Sequence, residues 1–211
     1  YEFENVETEG LARVSGLEKL APSLEVLRTT QDRALEKEFF RAHGLPHVAF
    51  AAGKSTDDLR AAARAFGLPA ILKTARGGYD GKGQWKLATE AVLEALLASP
   101  ARDALEAGGW VLEEPIEIVL EASAIVAREK NGDEVVFPLF ENVHRDHILD
   151  VTLVPARLPA DLEAEAKSVA LSAARALGVT GLLTTELFVG RSARHRSAEV
   201  RVFTNELAPR P

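Results

Sequence analysis

The sequence predicts a mixed α/β fold of the α+β kind, organised as two units. Up to about residue 109, segments with the apolar period of a helix alternate with short apolar strands. From Trp110 onward most segments are strand-like, and Asn131-Gly132 is typical of a tight β-hairpin turn. One amphipathic helix is predicted in this second part, over about residues 160–177. We therefore expect a helix–strand unit followed by an antiparallel sheet with one covering helix.

In the first unit, polar residues that can cap a helix stand before the helical segments, and glycines mark the helix ends. Thr30 is predicted to cap a helix over about residues 31–42. Leu35 and Phe39 are expected on its apolar side, and Gly44 follows it. The other predicted elements are a helix capped by Ser55 and ending at Phe66, strands over residues 69–73 and 84–87, and a helix from Thr89 to Leu97.

In the second unit, apolar segments rich in valine and isoleucine predict strands. The predicted strands cover about residues 110–112, 116–128, 135–137, 182–189 and 199–206. The last two form a closing hairpin if they pair symmetrically. A pairing of Glu186 with Glu206 places the turn near residue 196, inside a polar stretch. We therefore expect these two glutamates to be cross-strand neighbours.

Composition narrows the class of protein. The chain has 211 residues, of which 46% are hydrophobic, so it can bury a substantial core. A formal net charge of −7 argues against a general nucleic-acid binder, and the lack of cysteine excludes disulfides and thiolate metal sites. No apolar run reaches the roughly 20 residues of a membrane span. We expect a cytoplasmic protein, and because the chain starts at Tyr1 without methionine, a piece of a longer one.

A glycine-rich loop over residues 76–84 is the strongest local signal. Four glycines, two cations and an aromatic residue fall within nine positions, directly after a short strand that ends in Lys73. Glycine lets backbone N–H groups approach phosphate oxygens, and lysine adds positive charge. The spacing excludes a Walker-type P-loop. The loop and Lys73 together predict a flexible lid over a polyphosphate.

The Glu186/Glu206 pair is the second signal. Adjacent carboxylates repel each other unless a cation or a proton lies between them, and carboxylate oxygens suit the magnesium that bridges nucleotide phosphates. Two solvated strand glutamates remain the alternative. Arg210 follows on the same segment, after a proline, and its planar donors suit bicarbonate, carboxylate or phosphate. An ordinary surface arginine is the alternative there.

Several motifs occur in a fixed order from one end of the chain to the other. They are Gln31-Asp32-Arg33, Leu72-Lys73, residues 76–84, Glu113-Glu114, Glu121, residues 141–144, Glu186-Leu187-Phe188 and residues 205–210. Together they resemble the N5-carboxyaminoimidazole ribonucleotide synthases, the ATP-grasp carboxylases of purine biosynthesis. The resemblance implies an ATP-grasp fold, in which two α+β subdomains grip ATP. It also implies three regions: the end of a preceding domain (1–30), a small subdomain (31–115) and a large subdomain (116–211).

The resemblance implies roles for individual residues. The residues expected to bind ATP are Arg33, Lys73, Asp80, Gly81, Lys82, Gly83, Gln84, Trp85, Lys86, Glu113, Glu114, Pro115, Ile116, Glu121, His144, Asn205 and Glu206. Glu186 and Glu206 are expected to hold Mg²⁺. Arg210 would orient bicarbonate or carboxyphosphate, and Tyr79 and Asp80 would face the imidazole substrate. The implied partners are ATP, bicarbonate, 5-aminoimidazole ribonucleotide and a second copy of the chain, with no nucleic acid and no membrane.

Some points stay open at this level. Lys37 lies one helical turn from Arg33 and is interpreted equally well as a solvated surface lysine. His147 stands where the resembled family commonly has glycine, and Ala208 stands where many other ATP-grasp enzymes have an asparagine ligand. The remaining alternatives are a related enzyme, such as the formate-dependent glycinamide ribonucleotide transformylase, and a non-catalytic nucleotide-binding module.

Overall fold

The computed structural model describes residues 6–14, 16–78, 82–192 and 199–210. Tyr79, Asp80 and Gly81 of the glycine-rich loop lie outside the described residues, as does the turn predicted near residue 196. Within these ranges, no helix combines the length and the apolar character that crossing a membrane requires.

The described strands form two sheets in which every pairing is antiparallel. The strands are β1 (Phe50–Gly53), β2 (Ala70–Thr74), β3 (Gln84–Leu87), β4 (Trp110–Glu113), β5 (Ile116–Arg128), β6 (Glu134–Val136), β7 (Phe140–Arg145), β8 (Ile148–Leu153), β9 (Gly181–Ser192) and β10 (Arg201–Arg210). The first sheet has the order β1-β4-β2-β3 and the second has the order β10-β9-β5-β7-β8, with β6 paired to β5.

The helices lie around these sheets. They are α1 (Thr8–Leu11), α2 (Leu24–Thr30), α3 (Arg33–Ala42), α4 (Thr56–Phe66), α5 (Glu90–Leu97), α6 (Ala101–Gly108) and α7 (Ala160–Ala176), with a 3-10 turn over Leu17–Lys19. The predicted caps at Ser55 and Thr89 are confirmed, since the Ser55 hydroxyl accepts from Asp58 N and the Thr89 hydroxyl from Val92 N. The predicted cap at Thr30 is wrong, because Thr30 ends α2 and Asp32 caps α3.

Each sheet has its own hydrophobic core. In the first, α4 and α5 pack against the sheet through residues such as Leu59, Leu72 and Leu93. In the second, α7 lies across β5, β9 and β10, where Ala170 and Ala173 are fully buried. The predicted helix over residues 160–177 is therefore confirmed, and so is its position on one sheet face.

Two predictions about strands have different outcomes. The Asn131-Gly132 hairpin is confirmed, because β5 and β6 pair on either side of it. The grouping of the Trp110 strand with the second unit is wrong, because β4 pairs with β1 and β2 in the first sheet. Trp110 belongs to that core, and its indole N–H donates to the carbonyl of Ser55 at 2.9 Å.

Helix α3 contacts both sheets: β1 and β4 in the first and β10 in the second. Its buried residues are Glu36, Lys37 and Phe40, whereas Leu35 is 49% exposed. The predicted apolar side through Leu35 and Phe39 is therefore wrong in part, because two of the three buried positions of this helix are ionisable residues. This arrangement brings ionisable groups to the junction of the two sheets.

Candidate functional site

A cavity of about 480 Å³ is lined by residues from both sheets. The lining residues are Arg33, Lys73, Gly78, Lys82, Gly83, Gln84, Ile118, Glu121, His144, His147, Leu149, Glu186, Phe188, Asn205 and Glu206. Most of the polar residues on this wall are ones that the sequence singled out. The fold therefore brings the lysine, the described ends of the glycine-rich loop and the carboxylate pair to a single site.

The predicted pairing of the two glutamates is confirmed, since Glu186 and Glu206 are directly opposite each other on β9 and β10. The register shifts between Thr204 and Glu206, so Asn205 is the extra residue of a β-bulge. Both glutamates and Asn205 line the cavity. The bulge thus directs consecutive polar side chains, Asn205 and Glu206, toward the same space.

The oxygen atoms of this group fit a hard divalent cation. Mg²⁺ is commonly held by one or two carboxylates, together with substrate phosphates and water. In the described part of the chain, no cluster of three or more His, Cys, Asp or Glu side chains forms a complete metal cage. Two neighbouring carboxylates suit a cation that is also bound by the phosphates of a nucleotide. Arg33 Nη2 lies 3.8 Å from Glu206 Oε2 and offsets part of the negative charge.

Lys73 reaches the cavity from near the end of β2. Its Nζ lies 2.6 Å from Glu113 Oε2 and 3.5 Å from Asn205 Oδ1. Glu113 is buried, and burial alone would raise its pKa, but the charges of Lys37 and Lys73 outweigh that effect and lower the pKa to about 2. Glu113 is therefore an ionised partner that fixes the ammonium group of Lys73.

Lys37 is a component of the site that the sequence left undecided. It is 1% exposed, so the interpretation as a solvated surface lysine is wrong. Its Nζ lies 2.8 Å from Glu113 Oε1 and donates to the carbonyl oxygen of Asn205 at 3.0 Å. Because these partners are distant in the sequence, the helical spacing of Lys37 could not indicate that it is buried and bound to them.

Glu36, beside Lys37, is also 1% exposed. Its Oε1 accepts a hydrogen bond from the Leu207 N–H at 2.6 Å, while Oε2 has no hydrogen-bond partner among the described residues. Burial, and next the charge of Glu206, raise the pKa of Glu36 well above its ordinary value of 4.5. The surroundings of the bulge thus favour protonation of Glu36 relative to an exposed glutamate.

The described ends of the glycine-rich loop are tied to β2 and α3. Thr74 N donates to the Gly83 carbonyl at 2.8 Å, and Arg33 Nη2 donates to the Gly78 carbonyl at 3.0 Å. Gly83 has φ +73°, and a Cβ added there would lie 2.6 Å from Thr74 Oγ1. Glycine is required at this position for two reasons: the left-handed backbone and the close approach of Thr74.

We expect Gly83→Ala to destabilise the protein by about 1–3 kcal/mol and to weaken nucleotide binding, because it adds both backbone strain and a clash. Gly77→Ala is the matched control, since Gly77 has φ +75° with no atom within 4 Å of its added Cβ. The measurement is the free energy of unfolding in urea for both variants. Equal losses for the two variants would contradict the role assigned to the Thr74 contact.

The opposite wall of the cavity comes from β5 and the β7–β8 hairpin. His144 Nδ1 lies 3.0 Å from Glu121 Oε2, so these two predicted nucleotide contacts are paired with each other. Asp146 and His147 form the two-residue turn of the hairpin, with φ 51° and 65°. Such a turn needs positive φ at both positions, which glycine adopts freely and histidine adopts more readily than most residues. His147 also lines the cavity.

Other residues assigned by the resemblance lie off the cavity wall. Trp85 packs against the core of the first sheet and does not line the cavity. The buried carboxylate of Glu114 accepts from the Ser192 hydroxyl at 2.6 Å. Arg210 is exposed at the end of β10. The remaining residues of this group are Lys86, exposed on β3, and Glu113, Pro115 and Ile116 at the connection between the sheets. Tyr79, Asp80 and Gly81 lie outside the described residues.

Comparison with known proteins identifies the fold. The model of the ATP-grasp domain matches residues 38–211, which is most of the chain. The chain belongs to the ATP-grasp family. In this ATP-grasp domain, the cavity between the two sheets holds Lys73, Glu186 and Glu206. The fold predicted from the motifs is therefore confirmed.

The similar proteins include members of one enzyme group within the ATP-grasp family. The chain is 36% identical to the N5-carboxyaminoimidazole ribonucleotide synthase of Bacillus subtilis, covering 100% of this chain and 52% of that protein. It is 40% identical to a bifunctional purine synthesis protein of Dictyostelium discoideum, covering 100% and 21%. The chain thus spans about half the length of the synthases that it matches.

Solved structures of N5-carboxyaminoimidazole ribonucleotide synthetases are also similar to this chain. An ADP complex of an N5-carboxyaminoimidazole ribonucleotide synthetase superposes with a TM-score of 0.83 at 36% identity, covering 100% of this chain and 53% of the other. The synthetase from Thermus thermophilus gives 0.79 at 36% identity, covering 100% and 54%. The fold of this ATP-grasp domain is therefore that of about half of each synthetase.

Proposed function

We propose that the protein containing this ATP-grasp domain carboxylates 5-aminoimidazole ribonucleotide to N5-carboxyaminoimidazole ribonucleotide, using ATP and bicarbonate. The observation that carries the proposal is the single cavity that combines Lys73, the ends of the glycine-rich loop and the Glu186/Glu206 pair. Identity of 36% to the Bacillus subtilis synthase over the whole chain supports the choice of reaction. A cytoplasmic homodimer acting in purine biosynthesis is part of the same proposal.

In the proposed first step, an oxygen of bicarbonate attacks the γ-phosphorus of ATP, the bond to the β,γ-bridging oxygen breaks, and ADP leaves with that electron pair. The product is carboxyphosphate. Lys73 and Arg33 bind phosphate oxygens, and the loop over residues 76–84 excludes water from the reacting groups. Glu186 and Glu206 would hold Mg²⁺, which neutralises phosphate charge during the transfer when it is bound.

In the second step, the exocyclic amine of 5-aminoimidazole ribonucleotide attacks the carboxyl carbon of carboxyphosphate. The bond between the carboxyl carbon and the oxygen that bridges to phosphorus breaks. Phosphate leaves with the electron pair, and the amine loses a proton. We assign Arg210 to orienting bicarbonate or carboxyphosphate through its planar donors. Tyr79 and Asp80 are assigned to the imidazole substrate, with Asp80 as a candidate for the proton transfer.

The remaining residues bind the nucleotide in this proposal. Glu121 and His144 form the wall suited to the ribose and its neighbouring groups, and residues 113–116 offer backbone groups to adenine. Lys82, Gly83, Gln84 and Lys86 belong to the loop and to the strand that returns from it, and Trp85 is assigned to the same strand through its backbone only. Asn205 acts beside Glu206.

The test is ADP release by the full-length protein, measured with ATP and Mg²⁺ and with each substrate omitted in turn. The proposal predicts release that requires both bicarbonate and 5-aminoimidazole ribonucleotide. Stimulation by formate with glycinamide ribonucleotide would instead identify the related transformylase. ATP binding with no substrate-stimulated release would identify a non-catalytic module.

A further inference from the structure

Helix α3 presents two ionisable residues, Glu36 and Lys37, to the junction of the two sheets. Each is 1% exposed, and neither lines the cavity. Burying such groups costs several kcal/mol each unless nearby partners compensate for the lost water. The partners of these two residues therefore indicate why charged groups occupy this place.

Both residues bind the backbone on either side of Glu206. Lys37 Nζ donates to the carbonyl oxygen of Asn205 at 3.0 Å, and Glu36 Oε1 accepts from the Leu207 N–H at 2.6 Å. Asn205 is the extra residue of the bulge and has no cross-strand partner in the β9–β10 ladder. The neighbouring strand therefore leaves the conformation of the bulge underdetermined, and α3 supplies the contacts that fix it.

Lys37 makes a further contact that links the two sheets beside the cavity. Its Nζ lies 2.8 Å from Glu113 Oε1, and the other oxygen of Glu113 lies 2.6 Å from Lys73 Nζ. The same ammonium group thus contacts the backbone that carries Glu206 and the carboxylate that orients Lys73. Glu206 and Lys73 belong to different sheets, and α3 sets their relative positions.

We propose that Glu36 and Lys37 are positioning residues, which fix the Asn205–Leu207 backbone so that Glu206 faces the magnesium of a bound nucleotide, while Lys37 fixes Lys73 through Glu113. The inference rests on the proposed function only in taking Glu206 as a ligand of nucleotide-bound Mg²⁺. Neither residue touches the nucleotide. Groups that orient metal ligands typically change metal affinity by 10–100-fold when they are removed.

The test titrates ADP into the full-length protein by calorimetry, once with Mg²⁺ and once with a chelator. The ratio of the two affinities measures the contribution of the metal. Glu36→Leu removes the acceptor for the Leu207 N–H, whereas Glu36→Gln keeps an oxygen in the same place. Lys37→Met removes the ammonium group at similar length. Glu38→Gln is the control, because Glu38 is on the same helix with its side chain 49% exposed.

We expect Glu36→Leu to reduce the magnesium-dependent ratio by about 10-fold or more, with little change in metal-free ADP binding. Glu36→Gln is expected to stay within about 3-fold of the unaltered protein, since an amide oxygen accepts the same hydrogen bond. Lys37→Met is expected to lower both the ratio and the metal-free affinity, because it also releases Lys73. Glu38→Gln is expected to change neither quantity.

A purely structural role gives a different pattern. If folded Glu36→Leu keeps the normal ratio, or loses metal-free and metal-bound affinity equally, the proposal is overturned. If Glu36→Leu does not fold, Lys37→Met decides, and a normal ratio in that variant overturns the proposal equally. The titration needs neither bicarbonate nor the ribonucleotide. Normal Mg²⁺-ADP binding without bicarbonate-dependent turnover would therefore overturn the proposed function and leave this inference standing.

Discussion

Glu206→Gln is expected to lower magnesium-dependent turnover on the order of 100-fold or more, because a bound metal contributes several kcal/mol to the transfer of a phosphoryl group. Glutamine keeps the size of the side chain but removes the charge that a metal ligand needs. The variant is also expected to melt at the same temperature as the unaltered protein or slightly higher. Glu206 faces Glu186 across the strands, and like charges in that position are destabilising.

The measurements are the steady-state rate against Mg²⁺ concentration and the melting temperature without nucleotide. Glu117→Gln is the matched control, since the Glu117 side chain is 70% exposed and pairs with Arg191 at the surface. Parallel losses of rate and melting temperature in Glu206→Gln would show that Glu206 is a structural residue. That result would remove the metal site from the account.

Glu113→Gln is expected to destabilise the protein by about 3–5 kcal/mol, because it leaves two buried or half-buried ammonium groups, Lys37 and Lys73, without their shared carboxylate. The double variant Glu113→Leu with Lys37→Met is expected to recover much of this stability, since it replaces the buried pair with apolar side chains. It is not expected to recover nucleotide affinity. Urea unfolding of the three proteins measures the effect, and an unchanged stability of Glu113→Gln would contradict it.

The pH dependence provides a second readout for Glu113. Its pKa in the folded protein is about 2, below the ordinary value of 4.5. A lowered pKa stabilises the fold fully above the unfolded value, and this contribution is lost as pH falls from about 4.5 toward 2. We expect the acid-induced loss of stability over this window to be smaller in Glu113→Gln. Identical slopes in the two proteins would contradict the ionised, lysine-bound state of Glu113.

The sequence predicted the carboxylate pair because strand pairing follows simple counting. Glu186 and Glu206 are equidistant from residue 196, which lies inside the polar stretch, so a symmetric hairpin places them opposite each other, as the structure does. The bulge at Asn205 was not predictable in this way. Without the bulge, the register that pairs Thr204 with Leu187 would place Glu206 opposite Thr185, so the bulge is what brings the two glutamates into alignment.

The burial of ionisable residues on α3 could not be predicted from the periodicity of apolar residues. Apolar periodicity assumes that the apolar side of a helix is the buried side. On α3 the buried positions include Glu36 and Lys37. Their compensating partners, such as Glu113 for Lys37, lie on strands that are distant in the sequence. The residues next to Glu36 and Lys37 in the sequence do not indicate those long-range contacts. The position of Trp85 has a similar cause, because membership in the loop motif does not specify which face of β3 a side chain occupies.

The proposed formation of carboxyphosphate is tested by following the oxygen atoms of bicarbonate. The full-length protein is given ATP, Mg²⁺, 5-aminoimidazole ribonucleotide and freshly dissolved ¹⁸O-labelled bicarbonate, and the released phosphate is analysed by mass spectrometry. If bicarbonate attacks the γ-phosphorus, the bridging oxygen of carboxyphosphate leaves with the phosphate. The proposed mechanism therefore predicts one ¹⁸O atom in each phosphate released early in the reaction. Unlabelled phosphate would show that water or another nucleophile attacks ATP, and would rule out carboxyphosphate as the intermediate.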